Sequence, residues 1–283
     1  MAKKTRQIYR RIQNVRHVRQ ITKAMYAIAA TQVIQRKRAL AAARPFGEAS
    51  EGILAELWAA AQAAGLSHPL ISPGRGKGIA LLVVNADRGL CGRYVGEVNR
   101  AAERLAAERG EVVILAGGTK AWRHFHRRPW PVEAQFVHAY DPPHLAAAIH
   151  IQDAILDLFP DRVREVWTVY MHFRGELAQT VRVDQLLPLR PAPARPSQPL
   201  AEPELAPLLD QVIRLHLVGR ILRILLSAKA AEQAVRRQAM KAATDNADEL
   251  LERLSVRYNK ARQQGITREI LDIMGGVEAL RRG

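Results

Sequence analysis

Toward the end of the chain, apolar side chains recur at spacings that a helix places on one side. They include Leu209, Val212, Leu215, Leu222 and Leu226, then Leu250, Leu254, Tyr258, Ala261, Ile266, Ile270 and Ile273. Such a stripe marks an amphipathic helix. No proline follows Pro207, so the pattern predicts one helix over 205–283. At about 1.5 Å per residue it would run on the order of 100 Å. That is too long for the core of one compact domain, and periodicity sustained this far points to a coiled coil. The stripe needs a partner helix.

The first part of the chain offers one. Ile8, Ile12, Val15, Ile21, Met25 and Ile28 fall at spacings of three, four or six, which predicts a shared helical face. Around them stand Lys3, Lys4, Arg6, Arg10, Arg11, Arg16, Arg19 and Lys23, and no Asp or Glu occurs before Glu48. Like charges at helical spacing cost a few tenths of a kcal/mol per pair, and solvated faces normally mix signs. This helix is built to lie inside something negative. Pro45 is expected to bend it, after which it continues to about residue 64.

Between the two helical ends the texture changes. "LSHPLISPGRGKG" is a loop, and "IALLVV" at Ile79 to Val84 reads as a buried strand. Helix is expected over Tyr94–Glu108, Thr119–His126 and Leu145–Leu158. Strands are expected over Val112–Leu115, Gln135–Tyr140 and Val166–Phe173, with an edge strand over Thr180–Leu187. The alternation predicts an α/β domain with a mostly parallel sheet. Seven prolines from Pro188 to Pro207 then form a semi-rigid connector. The expected organisation is an N-terminal coiled-coil helix (1–64), an α/β domain (65–190), a proline-rich linker (191–204) and a C-terminal coiled-coil helix (205–283). The two ends would pair as an antiparallel coiled coil.

Charge and composition narrow the partners. The 283 residues carry a formal charge of +16, which favours acidic surfaces of protein, nucleic acid or anionic lipid. The single cysteine, Cys91, cannot form an internal disulfide. The longest apolar run is too short to cross a bilayer, so direct membrane insertion is not expected. Catalytic and nucleotide motifs are nearly absent. There is no G-x-G-x-x-G after a strand, "AGGTKAW" lacks phosphate-loop spacing, and "GRGKG" precedes a strand rather than opening a helix. His124 and His126 flank Phe125 in an Arg-rich stretch without acidic or cysteine ligands nearby, and read as solvated histidines rather than metal ligands. Cys91 reads as a small buried thiol rather than a nucleophile. No catalytic, cofactor-binding or metal-ligating residue is expected on this chain.

Three stretches carry a specific resemblance: "QITKAMYAIAAT" at Gln20 to Thr31, "NADRGLCG" at Asn85 to Gly92, and "AMKAATDNADELLERLSVRYNKARQQGITREILDIMGGVEAL" at Ala239 to Leu280. In this order, over essentially the whole chain, the sequence resembles the gamma subunits of F-type ATP synthases, of bacterial type because the similarity starts by about Lys4. The resemblance implies a Rossmann-like α/β foot inserted between paired terminal helices. It also implies a central rotor shaft that couples ion flow through a membrane c ring to ATP synthesis or hydrolysis on beta subunits. Implied partners are the alpha and beta subunits, an epsilon subunit and the c ring. MgATP and ADP would be bound by alpha and beta, with no cofactor here. The implied location is the cytoplasmic side of the cell membrane, as a peripheral complex.

Residue by residue, the resemblance implies rotor coupling or beta contacts for Lys23, Met25, Arg236, Arg262, Gln263 and Thr267, with the coupling positions of the two helices close together. The foot motif corresponds to Asp87, Arg88, Gly89, Cys91 and Gly92. The chain departs from the family at "AATQVIQRKR", where the basic cluster is displaced to Arg36, Lys37 and Arg38. It departs again at Arg93 and Tyr94 after "DRGLCG", and at "SQPLAEPEL" around Ser197, which keeps only Glu202 and Pro203 of the usual pattern. A basic helical protein could instead bind nucleic acid. That alternative lacks base-reading modules, and aromatics make up only 5% of the chain, few for a stacking platform.

Overall fold

The computed structural model describes residues 2–194 and 204–282, excluding the side chains of 2–4, 272, 275 and 278–282. In chain order come α1 (Ala2–Ala42), α2 (Arg44–Ala63), β1 (Ile79–Val84), α3 (Tyr94–Arg109), β2 (Val112–Gly117) and α4 (Thr119–Phe125). There follow β3 (Val132–Phe136), α5 (Leu145–Leu156), β4 (Glu165–Phe173), β5 (Gln179–Leu187) and α6 (Leu205–Arg282). The break between α1 and α2 falls one residue before Arg44, with Pro45 in the first turn of α2, where its missing N–H is harmless. Most of the proline-rich connector, including Ser197 and Glu202-Pro203, lies outside the described residues.

The chain forms two units, 29–236 and the pair 1–28 with 237–283. The larger is built on a five-stranded sheet of order β3-β2-β1-β4-β5. β1 pairs in parallel with β2 and β4, β2 in parallel with β3, and only β5 runs antiparallel, at the edge against β4. β1 is buried at all six positions because both faces are covered, which is why its sequence is continuously apolar rather than alternating. Leu81 and Val83 pack with Val98 and Ala102 of α3 and Phe125 of α4. Leu82 and Val84 pack with Ile151 and Ile155 of α5, Leu54 and Leu57 of α2, and Ile213, Leu217 and Ile221 of α6. Here α2 and α6 run antiparallel: a Cβ on Gly219 would come within 2.7 Å of the Phe46 ring, Ser50 Oγ lies 3.2 Å from His216 Nδ1, and His68 Nε2 lies 3.1 Å from Asp210 Oδ1.

Two local expectations shift. The strand expected over Gln135–Tyr140 forms instead over Val132–Phe136. Backbone pairing starts early because the Pro131 carbonyl accepts from Ile114 N at 2.8 Å, and the strand stops early because His138 takes a left-handed conformation (φ 57°). Phe136 and Tyr140 are still buried, but across a turn. His124, expected to be solvated, sits on α4 where that helix is expected to place it, but its side chain lies 3.0 Å from Glu103 and is only a quarter exposed.

The second unit is a helix pair. Tyr9 and Tyr258 have ring centroids 5.9 Å apart, Arg19 pairs with Asp248, and the hydroxyls of Thr22 and Thr244 are 2.9 Å apart. Numbers rise along one helix as they fall along the other, so the pairing is antiparallel. Its inward residues on α6 follow a heptad, with Met240, Ala247 and Leu254 all buried, the repeat of a left-handed coiled coil. On α1 the inward set is Ile12, Val15, Arg19 and Thr22. Ile21 and Ile28, assigned to that face by spacing alone, are 59% and 58% exposed, because steps of three and four from Ile12 select Thr22 instead.

Candidate functional site

In an open α/β sheet the ligand crevice lies beyond the carboxyl ends of the strands, where the connections switch direction. Here that point is between β1 and β4, and it is filled by helix α6. The Tyr94 hydroxyl donates to the carbonyl of Ala228 at 3.1 Å, and Ser227 Oγ accepts from Phe173 N at 3.0 Å. The residue after Ala228, Lys229, is buried between Glu232 and Asp141, each at 3.0 Å. Glu232 also pairs with Arg236 at 2.7 Å. An Ala-rich surface at Ala228, Ala230, Ala231 and Ala234, all buried, lets the helix approach closely enough to bury these charges. A buried ion network is weak evidence of stability, but losing one member strands the others and is costly.

The "DRGLCG" loop lies against this plug. The buried Asp87 carboxylate accepts from Thr119 N and Oγ1, both at 2.9 Å, and from His138 N at 3.0 Å. It thereby ties the β1 loop to the start of α4 and to the turn after β3. Gly89 offers its carbonyl to Arg236 at 3.4 Å. The Cys91 thiol is buried, and desolvation followed by the Glu232 carboxylate pushes its pKa up, the opposite of an activated nucleophile. Gly92 takes φ 51°, a conformation few other residues adopt readily. Arg88 is exposed. Of the motif residues, Asp87, Gly89, Cys91 and Gly92 thus shape one loop that seats α6.

The coupling residues are distributed differently. Arg236 is 8% exposed and held by Glu232 and Gly89. In the helix pair Lys23 is exposed and Met25 half-buried, while Arg262, Gln263 and Thr267 are all exposed. The registration of Tyr9 with Tyr258 and Thr22 with Thr244 sets Lys23 and Met25 beside the stretch near Thr244. Arg262 and Gln263 are about twenty residues away, roughly 30 Å along the helix. The structure therefore does not bring Met25 together with Arg262, Gln263 and Thr267, because antiparallel pairing sends the last turns of α6 toward the beginning of α1. Between the two helices, Arg10, Arg11, Arg257 and Lys260 line a groove of about 790 Å³.

Sequence reasoning missed Lys229, Glu232 and Asp141. The available signal was two opposite charges three residues apart in a run of alanines, which only a close helix contact makes meaningful.

An α/β domain whose ligand crevice is occupied by its own C-terminal helix, and an antiparallel coiled coil lined by basic residues, are the two parts that define the class of this chain. The family described as ATP synthase matches residues 4–280. The chain is 34% identical to the ATP synthase gamma chain of Halothermothrix orenii, covering 98% of this chain and 99% of the relative. It is 35% identical to that of a Cyanothece species, covering 96% and 97%. The chain belongs to the ATP synthase gamma chain family. Two solved structures share its fold: the Tetrahymena thermophila mitochondrial ATP synthase central stalk and c ring, at TM-score 0.63 and 24% identity over 79% of this chain and 99% of that one, and the Euglena gracilis mitochondrial ATP synthase OSCP/F1/c-ring structure, at TM-score 0.69 and 15% identity over 100% of this chain and 96% of that one.

Proposed function

We propose that the chain is the central rotor shaft of an F-type ATP synthase, coupling ion flow through a membrane c ring to ATP synthesis and hydrolysis on beta subunits. The observation that carries this reading is that one uninterrupted helix, α6, both plugs the α/β domain and supplies half of the coiled coil. A side-chain network in a dry site resists slip of α6 in the sheet better than exposed pairs would. The basic groove of Arg10, Arg11, Arg257 and Lys260 suits acidic lever segments of beta. Exposed attractions of this kind are individually weak and screened, so they guide a turning shaft without locking it.

In this reading the alpha and beta subunits surround the helix pair and bind MgATP and ADP, with no cofactor on this chain. The α/β domain meets epsilon and the c ring on the cytoplasmic face of a bacterial membrane. No helix among the described residues is long and apolar enough to cross that membrane. Lys23, Met25, Arg262, Gln263 and Thr267 act as beta contacts, while Arg236 acts as an anchor through Glu232. The test is reconstitution with alpha and beta subunits from the same source. One copy of this chain per complex, with MgATP turnover dependent on it, supports the reading; a ring that excludes the chain and turns over without it contradicts it.

A further inference from the structure

Over the faces of β4 and β5, the unit 29–236 holds a hollow of about 860 Å³ that the shaft role leaves unused. Its size falls within the roughly 300–1,000 Å³ of small-molecule sites. Five cations line it: Lys37 of α1, Arg44 of α2, Arg182 of β5, and Arg220 and Arg223 of α6. Two carboxylates answer them. Glu48 pairs with Arg44 at 2.6 Å; Asp184 lies 3.6 Å from Arg182 and accepts the Tyr170 hydroxyl at 3.0 Å. Among the described residues no carboxylate pairs with Lys37, Arg220 or Arg223.

Arg220 is fixed rather than neutralised: its guanidinium donates to the carbonyls of Gln185 at 2.9 Å and Leu186 at 3.4 Å. It stands one helical turn from Arg223, and burial, then Arg223, depress its pKa. Burial, then Arg182, also lower the pKa of His172 in the same wall, so that imidazole adds no charge near neutral pH. A second hollow of about 310 Å³ shares Arg220 and Arg223 and adds Arg190, with Glu51 as its one carboxylate. The fold thus sets two guanidinium groups between two hollows, the larger walled in part by Tyr170. Crowded like charges raise the free energy of the empty site, and an anion accepting from both forks removes that cost.

We propose that this hollow binds a small polyanion bearing a diphosphate group, held by Lys37, Arg220 and Arg223. Its source is pyrophosphate itself or a nucleoside diphosphate whose base meets Tyr170. Bound there, the ligand would tie α1 and α6 to the outer strands of the sheet. The proposal stands independently of the shaft reading.

Titration calorimetry of the full chain at fixed ionic strength, with pyrophosphate, ADP and adenosine in turn, tests it. One saturable site per chain is expected for pyrophosphate or ADP, and none for adenosine. Lys37→Ala and Arg223→Ala, both at exposed positions, should each weaken binding about tenfold, the loss of one charge-assisted contact. Because a chain of charge +16 attracts anions everywhere, Arg10→Ala with Arg11→Ala on the helix pair is the control and should change affinity less than about twofold. ADP binding more tightly than pyrophosphate assigns the nucleotide; equal or weaker binding assigns the diphosphate alone. Absence of a saturable site, equal weakening by the hollow and control variants, or adenosine binding as tightly as ADP overturns the proposal.

Discussion

The two ends of α6 carry the same kind of apolar stripe in opposite surroundings. Within the larger unit Leu209, Ile213, Leu217, Ile221 and Leu225 are at most 2% exposed, covered by the sheet, α2 and α5. In the helix pair the cover ends near Ala261, and Ile266, Ile270, Leu271, Ile273, Met274 and Val277 are 49–68% exposed. The registration shows why: position 265 already lies opposite the first residues of α1. A run of exposed apolar residues this long marks a contact surface. The comparison teaches that one stretch is completed by its own chain and the other requires a different one.

The sharpest way to break the self-completed region is to strand its buried charges. Lys229→Ala leaves Glu232 and Asp141 without their cation, and urea unfolding should show a loss of about 3–5 kcal/mol. Leu82→Ala, a cavity in the centre of the sheet, should cost about 2–5 kcal/mol in the same measurement. Acid should weaken this region too. His216 is kept neutral, its pKa pushed down from 6.5 to about 4 by burial first, then by Arg220 and Arg223. The unfolded chain takes up that proton near pH 6.5 and the folded chain only near pH 4. Stability therefore falls as pH drops through this window, and the difference between wild type and His216→Gln, followed by thermal unfolding from pH 7 to pH 4, should isolate the effect. At the far end the same logic predicts almost nothing: Ile270→Ala and Arg262→Ala should shift unfolding by less than about 0.5 kcal/mol. Arg262→Ala or Gln263→Ala should nevertheless lower coupled ATP synthesis more than assembly; equal loss of both would remove these residues from coupling.

The same contrast explains how much was legible beforehand. The buried strand "IALLVV", the helices from Tyr94 and Leu205, and the edge position of β5 follow from composition and periodicity, because each is dominated by its own residues. The Val132–Phe136 strand does not, since its ends are set by Pro131 and by the backbone of His138 rather than by hydrophobicity. Nor does the inward face of α1, where a step of three or four from Ile12 decides between Ile21 and Thr22, and only the partner helix fixes that step. The motif residues were visible as words, yet their work was not: Asp87 stitches three segments together, and Arg236 is buried beside Glu232. Periodicity reveals that a surface is apolar; it does not reveal what covers it.

As a rotor shaft, the chain turns its helix pair inside a stationary ring of alpha and beta subunits and carries the α/β domain round with it outside that ring. Leu177, 84% exposed in the β4–β5 turn, can be replaced by cysteine and labelled selectively, because the natural Cys91 is buried. With the alpha and beta subunits fixed to a surface and a visible probe on Leu177→Cys, rotation is recorded during MgATP hydrolysis. The account predicts rotation in one direction that starts with MgATP and stops when it is removed. A probe that stays still while the same complexes hydrolyse MgATP would contradict it.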